Sequence, residues 1–74
     1  MSRITPLKPT IAIRILNKLG FQAIRQKGSH IFFRHPDGRS TVIPFHKGED
    51  LSRGILKSIL NEIELSWDDF IAAK

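Results

Sequence analysis

The sequence predicts a two-layer α+β domain in the order α-β-β-β-α, with a short extra helix at the end. Three observations predict it. Two apolar stripes of helical spacing lie near the ends of the chain. Between them are three short runs of strand-forming residues, separated by turns that contain glycine. A length of 74 residues allows one hydrophobic core only. Each helical stripe needs a surface to cover. A three-stranded antiparallel sheet with the helices on one face supplies it and leaves the other face open. The expected unit is a single domain over residues 1–74, with residues 1–8 as a loose N-terminal arm.

Pro9 suits the first turn of a helix, where its missing N–H costs nothing. Ile11, Ala12, Ile15, Leu16 and Leu19 then form one stripe, and Gly20 is placed to end the helix in the left-handed region. Residues 21–26 read as the first strand. Lys27-Gly28-Ser29 is a turn, and residues 30–34 are the second strand. Asp37-Gly38 favours a two-residue type I′ hairpin leading to a third strand at 40–43, stopped by Pro44. That loop sets an expected register in which Phe33 faces Val42, Arg34 faces Thr41, Phe32 faces Ile43 and His30 faces Phe45. Alternation then puts Ile31 and Phe33 on one face with Val42. His30, Phe32 and Arg34 share the other with Thr41 and Ile43. Residues 45–51 form a polar loop. Ser52 is a candidate N-cap for a helix with the stripe Ile55, Leu56, Ile59, Leu60 and Ile63. Ser66-Trp67-Asp68-Asp69 resembles a capping box and opens the last short helix, which carries Trp67, Phe70 and Ile71.

Charge is unevenly spread. Residues 1–48 hold nine Lys/Arg and one acid, a charge of +8, whereas residues 49–74 carry −3. A basic front points to a polyanionic partner. With no cysteine, thiol nucleophiles and Cys-based zinc sites are excluded. No apolar run approaches the roughly 18–20 residues of a membrane span. The N-terminus also lacks the apolar core of a leader, so a cytoplasmic protein without a membrane partner is expected.

The acids are poorly placed for hydrolysis. Asp37 belongs to a turn, and Asp68 and Asp69 begin a helix, where negative charge suits the dipole. His30, His35 and His46 show no metal-ligand spacing, so no metal or cofactor is expected. His35 precedes Pro36 at a turn and reads as solvated. His46 and Lys47, in the polar loop, are candidates for phosphate contact. His30 is the candidate for proton transfer. It follows Lys27-Gly28-Ser29, where the lysine attracts an anion and the glycine permits close backbone approach. It also begins a strand, so the sheet fixes it. On the open face it joins Phe32, a ring on which a base can stack, and Arg34, a cation for phosphate.

The string Gly28-Ser29-His30-Ile31-Phe32-Phe33-Arg34-His35-Pro36-Asp37-Gly38-Arg39 resembles the signature of the HicA, or YcfA-like, toxin family. The likeness continues through Thr41-Val42-Ile43-Pro44, His46-Lys47-Gly48 and residues 51–60. Upstream it takes in Leu19-Gly20-Phe21 and Arg25-Gln26-Lys27, and overall it covers roughly residues 8–70. The resemblance implies a fold similar to the double-stranded RNA-binding domain. It implies the toxin of a type II toxin–antitoxin system, an endoribonuclease that cleaves messenger RNA and is neutralised by a HicB-like antitoxin. The family's catalytic histidine maps onto His30. One departure is Glu64, where the family often has glycine between the last two helices.

A metal-independent ribonuclease needs a base for the 2′-OH proton, cations for the phosphate and an in-line geometry. On that scheme His30 is the base, Lys27 or Arg34 contacts the phosphate, the Gly28-Ser29 backbone helps hold it, and the product is a 2′,3′-cyclic phosphate. His30 as the acid for the leaving 5′-oxygen is equally compatible. The alternative is a non-catalytic RNA-binding module of the same fold.

Overall fold

The computed structural model describes residues 3–74. In chain order the elements are α1 (Pro9–Lys18), β1 (Gln22–Lys27), β2 (His30–Arg34), β3 (Ser40–Pro44), α2 (Arg53–Ile63) and α3 (Trp67–Ala72). The sheet is antiparallel in the order β1-β2-β3. This is the expected α+β architecture, with the helices covering one face of an open sheet. No helix among the described residues is long and apolar enough to cross a membrane.

The helix ends follow local chemistry. Pro9 opens α1, and Gly20 beyond it has φ +95°. Its position is also sterically restricted, because a Cβ there would meet Nε2 of His35 at 3.0 Å. Ser52 accepts from the Ile55 N–H at 3.2 Å, and Ser66 accepts from the Asp69 N–H at 3.1 Å, so both predicted N-caps are formed. The core joins Ala12, Ile15 and Leu16 of α1 to Phe33 and Ile43 of the sheet, with Leu56, Ile59, Leu60 and Ile63 of α2. Phe21, Leu51 and Phe70 complete it. Ile55, expected on the buried stripe, is 37% exposed. The buried residues of α2 fall at i, i+3, i+4 and i+7 from Leu56, which leaves Ile55 at the rim.

The β2–β3 register differs from the expected one by one residue. His30 pairs with Pro44, Ile31 with Ile43, Phe32 with Val42, Phe33 with Thr41 and Arg34 with Ser40. Proline explains the shift. A two-residue Asp37-Gly38 loop requires Pro36 at a paired position where an N–H is useful, and proline has none. The chain instead makes a three-residue loop. Pro36 takes the second position of a turn closed by the Gly38 N–H on the His35 carbonyl at 2.9 Å. Gly38 follows at φ +99°, and the His35 N–H donates to the Arg39 carbonyl at 2.8 Å. In consequence Thr41 and Ile43 turn to the core with Phe33, and Val42 turns to the open face. His30, Phe32 and Arg34 stay on the open face as expected.

The arm is attached rather than loose over part of its length. Leu7 and Leu51 form an antiparallel bridge, with N–H to carbonyl distances of 3.3 and 2.7 Å. Ile4 and Leu7 also pack against the core. Residues 1 and 2 of the expected arm lie outside the described residues.

Three strands between two helices have a simple consequence. The chain crosses the molecule an odd number of times between α1 and α2, so both helices begin at the same end. That end also holds the β1–β2 turn, the end of β3 and the Leu7–Leu51 bridge. The opposite end holds the hairpin tip and both helix C-termini.

Candidate functional site

His30 is exposed at the start of β2, flanked by Lys27 of β1 and Pro44 of β3. It is not covered by the helices. Its position is set by the turn before it. Gly28 has φ +58° at the first central position of the two-residue loop, the conformation a type II′ hairpin requires there. The Ser29 carbonyl accepts from the Phe45 N–H at 2.6 Å, which ties this turn to the end of β3. Gln26 adds a bond from Nε2 to the Gly28 carbonyl at 3.1 Å. An exposed imidazole on so well-anchored a strand end is presented at a fixed place.

Along the same face the register sets Arg25 opposite Phe32, and the Arg25 guanidinium carbon lies 4.5 Å from the centre of the Phe32 ring. A depression of about 580 Å³ is lined by Arg25, Phe32, Arg34 and Val42 of this face and reaches around the sheet to Thr41 and the acid Glu62 of α2. Arg25 was not singled out from sequence. It reaches this face because the two-residue Gly28-Ser29 turn pairs Lys27 with His30 and therefore Arg25, two residues back, with Phe32. A bulge farther upstream, between Ala23 and Arg25, leaves Ile24 57% exposed. A signal for it exists in the sequence. Counting back from a two-residue Gly28-Ser29 loop pairs Lys27 with His30 and Arg25 with Phe32, which puts both cations on the open face.

The structure does not gather all the sequence candidates into one cavity. Phe32 and Arg34 share the central depression. Lys27, Gly28 and Ser29 adjoin His30. His46 and Lys47 line a separate depression of about 280 Å³ with Lys8, Thr10, Glu49 and Asp50. His30 stands between the two and lines neither. Among the described residues, no three His, Asp or Glu side chains are grouped as a metal ion would need.

The far end of the signature has another role. His35 is not solvated as expected: it packs edge-on against Phe21, with centroids 5.0 Å apart and a side chain 22% exposed. Its Nδ1 accepts from the Asp37 N–H at 3.1 Å. The same nitrogen lies 3.0 Å from Oδ1 of Asp37. Arg39 pairs with Asp37 at 2.8 Å and lies over the Phe21 ring at 5.1 Å. The Arg39 backbone N–H, donating to Asp37, holds that carboxyl below its ordinary value. Desolvation, the next-largest influence, opposes the effect, and the Arg39 guanidinium and His35 reinforce it. Thus the two ends of one continuous motif sit in different surroundings, His30 exposed and His35 to Arg39 bound into the frame.

A family model described as the HicA toxin of bacterial toxin–antitoxin systems matches residues 12–65. The match runs from α1 through α2 and includes the whole stretch from Gly28 to Arg39. No curated protein matches the chain.

Proposed function

The chain belongs to the HicA toxin family, and from that premise we propose that it is a metal-independent endoribonuclease that cleaves messenger RNA through His30. The observation that carries the reading is the exposed imidazole at the anchored start of β2, on a sheet face that also presents Lys27, Arg25 and Arg34.

RNA supplies its own nucleophile. A histidine exchanges protons near neutral pH, so His30 serves either to remove the 2′-OH proton or to protonate the leaving 5′-oxygen. The 2′-oxygen attacks phosphorus, the bond to the 5′-oxygen breaks, and a 2′,3′-cyclic phosphate remains. Lys27, across the ladder from His30, offsets the negative charge that builds on the phosphate, and Arg34, four pairs farther along the same face, holds a neighbouring phosphate of the strand. Phe32 offers its ring to a neighbouring base, and His46 and Lys47 reach the strand from the adjoining loop. The partner is an acidic HicB-like antitoxin that covers this face and blocks access to RNA.

The test is His30→Ala, assayed on single-stranded RNA in EDTA. Loss of the proton-transfer group lowers cleavage by about 10²–10⁴-fold. The fold and RNA binding are retained, because the side chain is exposed. Cleavage at the parental rate overturns the assignment. Retention of RNA without cleavage by the parent protein supports a binding module instead.

A further inference from the structure

A second basic surface lies around the start of α2, away from the residues assigned above. Arg3, Ile4, Arg53, Gly54 and Lys57 line a depression of about 460 Å³. Three of these five carry positive charge, and none is acidic. All three cations are exposed, and among the described residues none forms an ion pair. The Leu7–Leu51 bridge brings the arm to this position, so cations from two distant parts of the sequence meet.

The arrangement works against the isolated fold. Arg53 and Lys57 stand one turn apart on α2, and like charges at this spacing repel. They also occupy the N-terminal half of a helix whose first turn contains no acid, where the dipole disfavours cations. A sequence chosen for helix stability alone has acids there. The neighbouring depression on the other side of Leu51 is balanced, since Lys8 and Lys47 are offset by Glu49 and Asp50. Of the two, only the α2 surface is uniformly positive. Gly54 adds no side chain, and a Cβ there would meet nothing within 4 Å.

We infer that Arg3, Arg53 and Lys57 form a second binding site for the phosphodiester backbone of the RNA, on the helical layer. The inference rests on the RNA reading of the open face and extends it. The surface lies at the same end of the molecule as His30, so a strand passing His30 continues around that end onto α2. It contacts phosphates only, so it adds affinity without sequence preference.

The test uses the His30→Ala chain, which leaves RNA intact, and the triple replacement Arg3→Gln, Arg53→Gln and Lys57→Gln on that background. Binding of labelled, unstructured RNA is measured between about 50 and 200 mM salt. The expected result is a slope of log K against log salt shallower by about 2, given three contacts at about 0.7 each for a single strand. The urea midpoint does not fall. An unchanged slope and affinity, with Lys27→Gln and Arg34→Gln still weakening binding, overturns this site alone. If neither set weakens binding, the RNA reading of the open face fails first. Unchanged RNA binding with lost binding of poly-glutamate overturns the proposal in favour of an acidic protein surface.

Discussion

Arg39 donates through Nη1 to the carbonyl oxygen of Ile63, joining the β2–β3 hairpin tip to the last turn of α2. The same guanidinium holds Asp37 and lies over Phe21. One side chain thus satisfies a helix-end carbonyl and orients a hairpin. Arg39→Ala is expected to cost about 2–3 kcal/mol, the range for a charged hydrogen bond with added packing. That is a large part of the roughly 4–11 kcal/mol expected for a chain of this length. Urea unfolding measures it. RNA cleavage per folded molecule is expected to be unchanged, because Arg39 sits at the end opposite His30. A variant as stable as the parent would remove Arg39 from the frame.

This separation shows what local sequence conveys. Helix caps are written within four residues, which is why Ser52 and Ser66 were legible. The three strand positions and the open-face set of His30, Phe32 and Arg34 were legible for the same reason. Features decided by two distant segments were not. The β3 register is a different case, a local signal that points elsewhere once read in full: Asp-Gly alone suggests a two-residue loop, but Pro36 directly before it selects the longer turn and shifts the whole register. The pairing of Leu7 with Leu51 has no local signature. The partial burial of His35 depends on Gly20 and Phe21, just beyond α1, arriving beside it. His30 was legible as a strand start, but the gap between it and the His46–Lys47 depression depends on how the polar loop folds.

Glu64 is the one residue other than glycine with positive φ among the described residues, at φ 59° and ψ 44°. It ends α2 where the HicA pattern often has glycine. A left-handed conformation costs a residue with a Cβ about 1–2 kcal/mol, partly offset by the greater entropy glycine loses on folding. Glu64→Gly is therefore expected to stabilise by about 0.5–1 kcal/mol, a rise in Tm of a few degrees for a domain of this size. Glu64→Ala keeps the strain and serves as the control. Equal melting temperatures for the two variants would show that backbone strain is not the cause.

Asp37 links stability to pH. Its pKa is depressed in the folded state, chiefly by the Arg39 backbone N–H. A depressed carboxyl stabilises the fold above its unfolded value of 3.8, and the effect is lost as pH falls through the lower folded value. Asp37→Asn is thus expected to be less stable than the parent at neutral pH. The two should converge as pH drops from about 5 into the acid range. Because the Asp37 side chain is 46% exposed, the difference should be small and should shrink in high salt. Urea midpoints taken across this range measure it. A difference that stays constant with pH would exclude the carboxylate as its source.

Phe32 gives the sharpest prediction about the open face. It lies two residues from His30 on the same side of β2, so its ring is about 7 Å along the strand at ~3.4 Å per residue. A base stacked on that ring places the adjoining backbone within reach of the imidazole. Arg25 already lies over the ring, so a cation is present to extend the stack or to meet the neighbouring phosphate. Stacking on one aromatic ring contributes about 1–3 kcal/mol per base. Phe32→Ala, made in the His30→Ala chain, is expected to weaken binding of single-stranded RNA by about 5- to 150-fold. Val42→Ala, a trimmed apolar group opposite it on the same face, should change binding far less. Equal affinities for the Phe32→Ala and Val42→Ala chains, both folded by circular dichroism, would mean that RNA approaches His30 without stacking on the sheet.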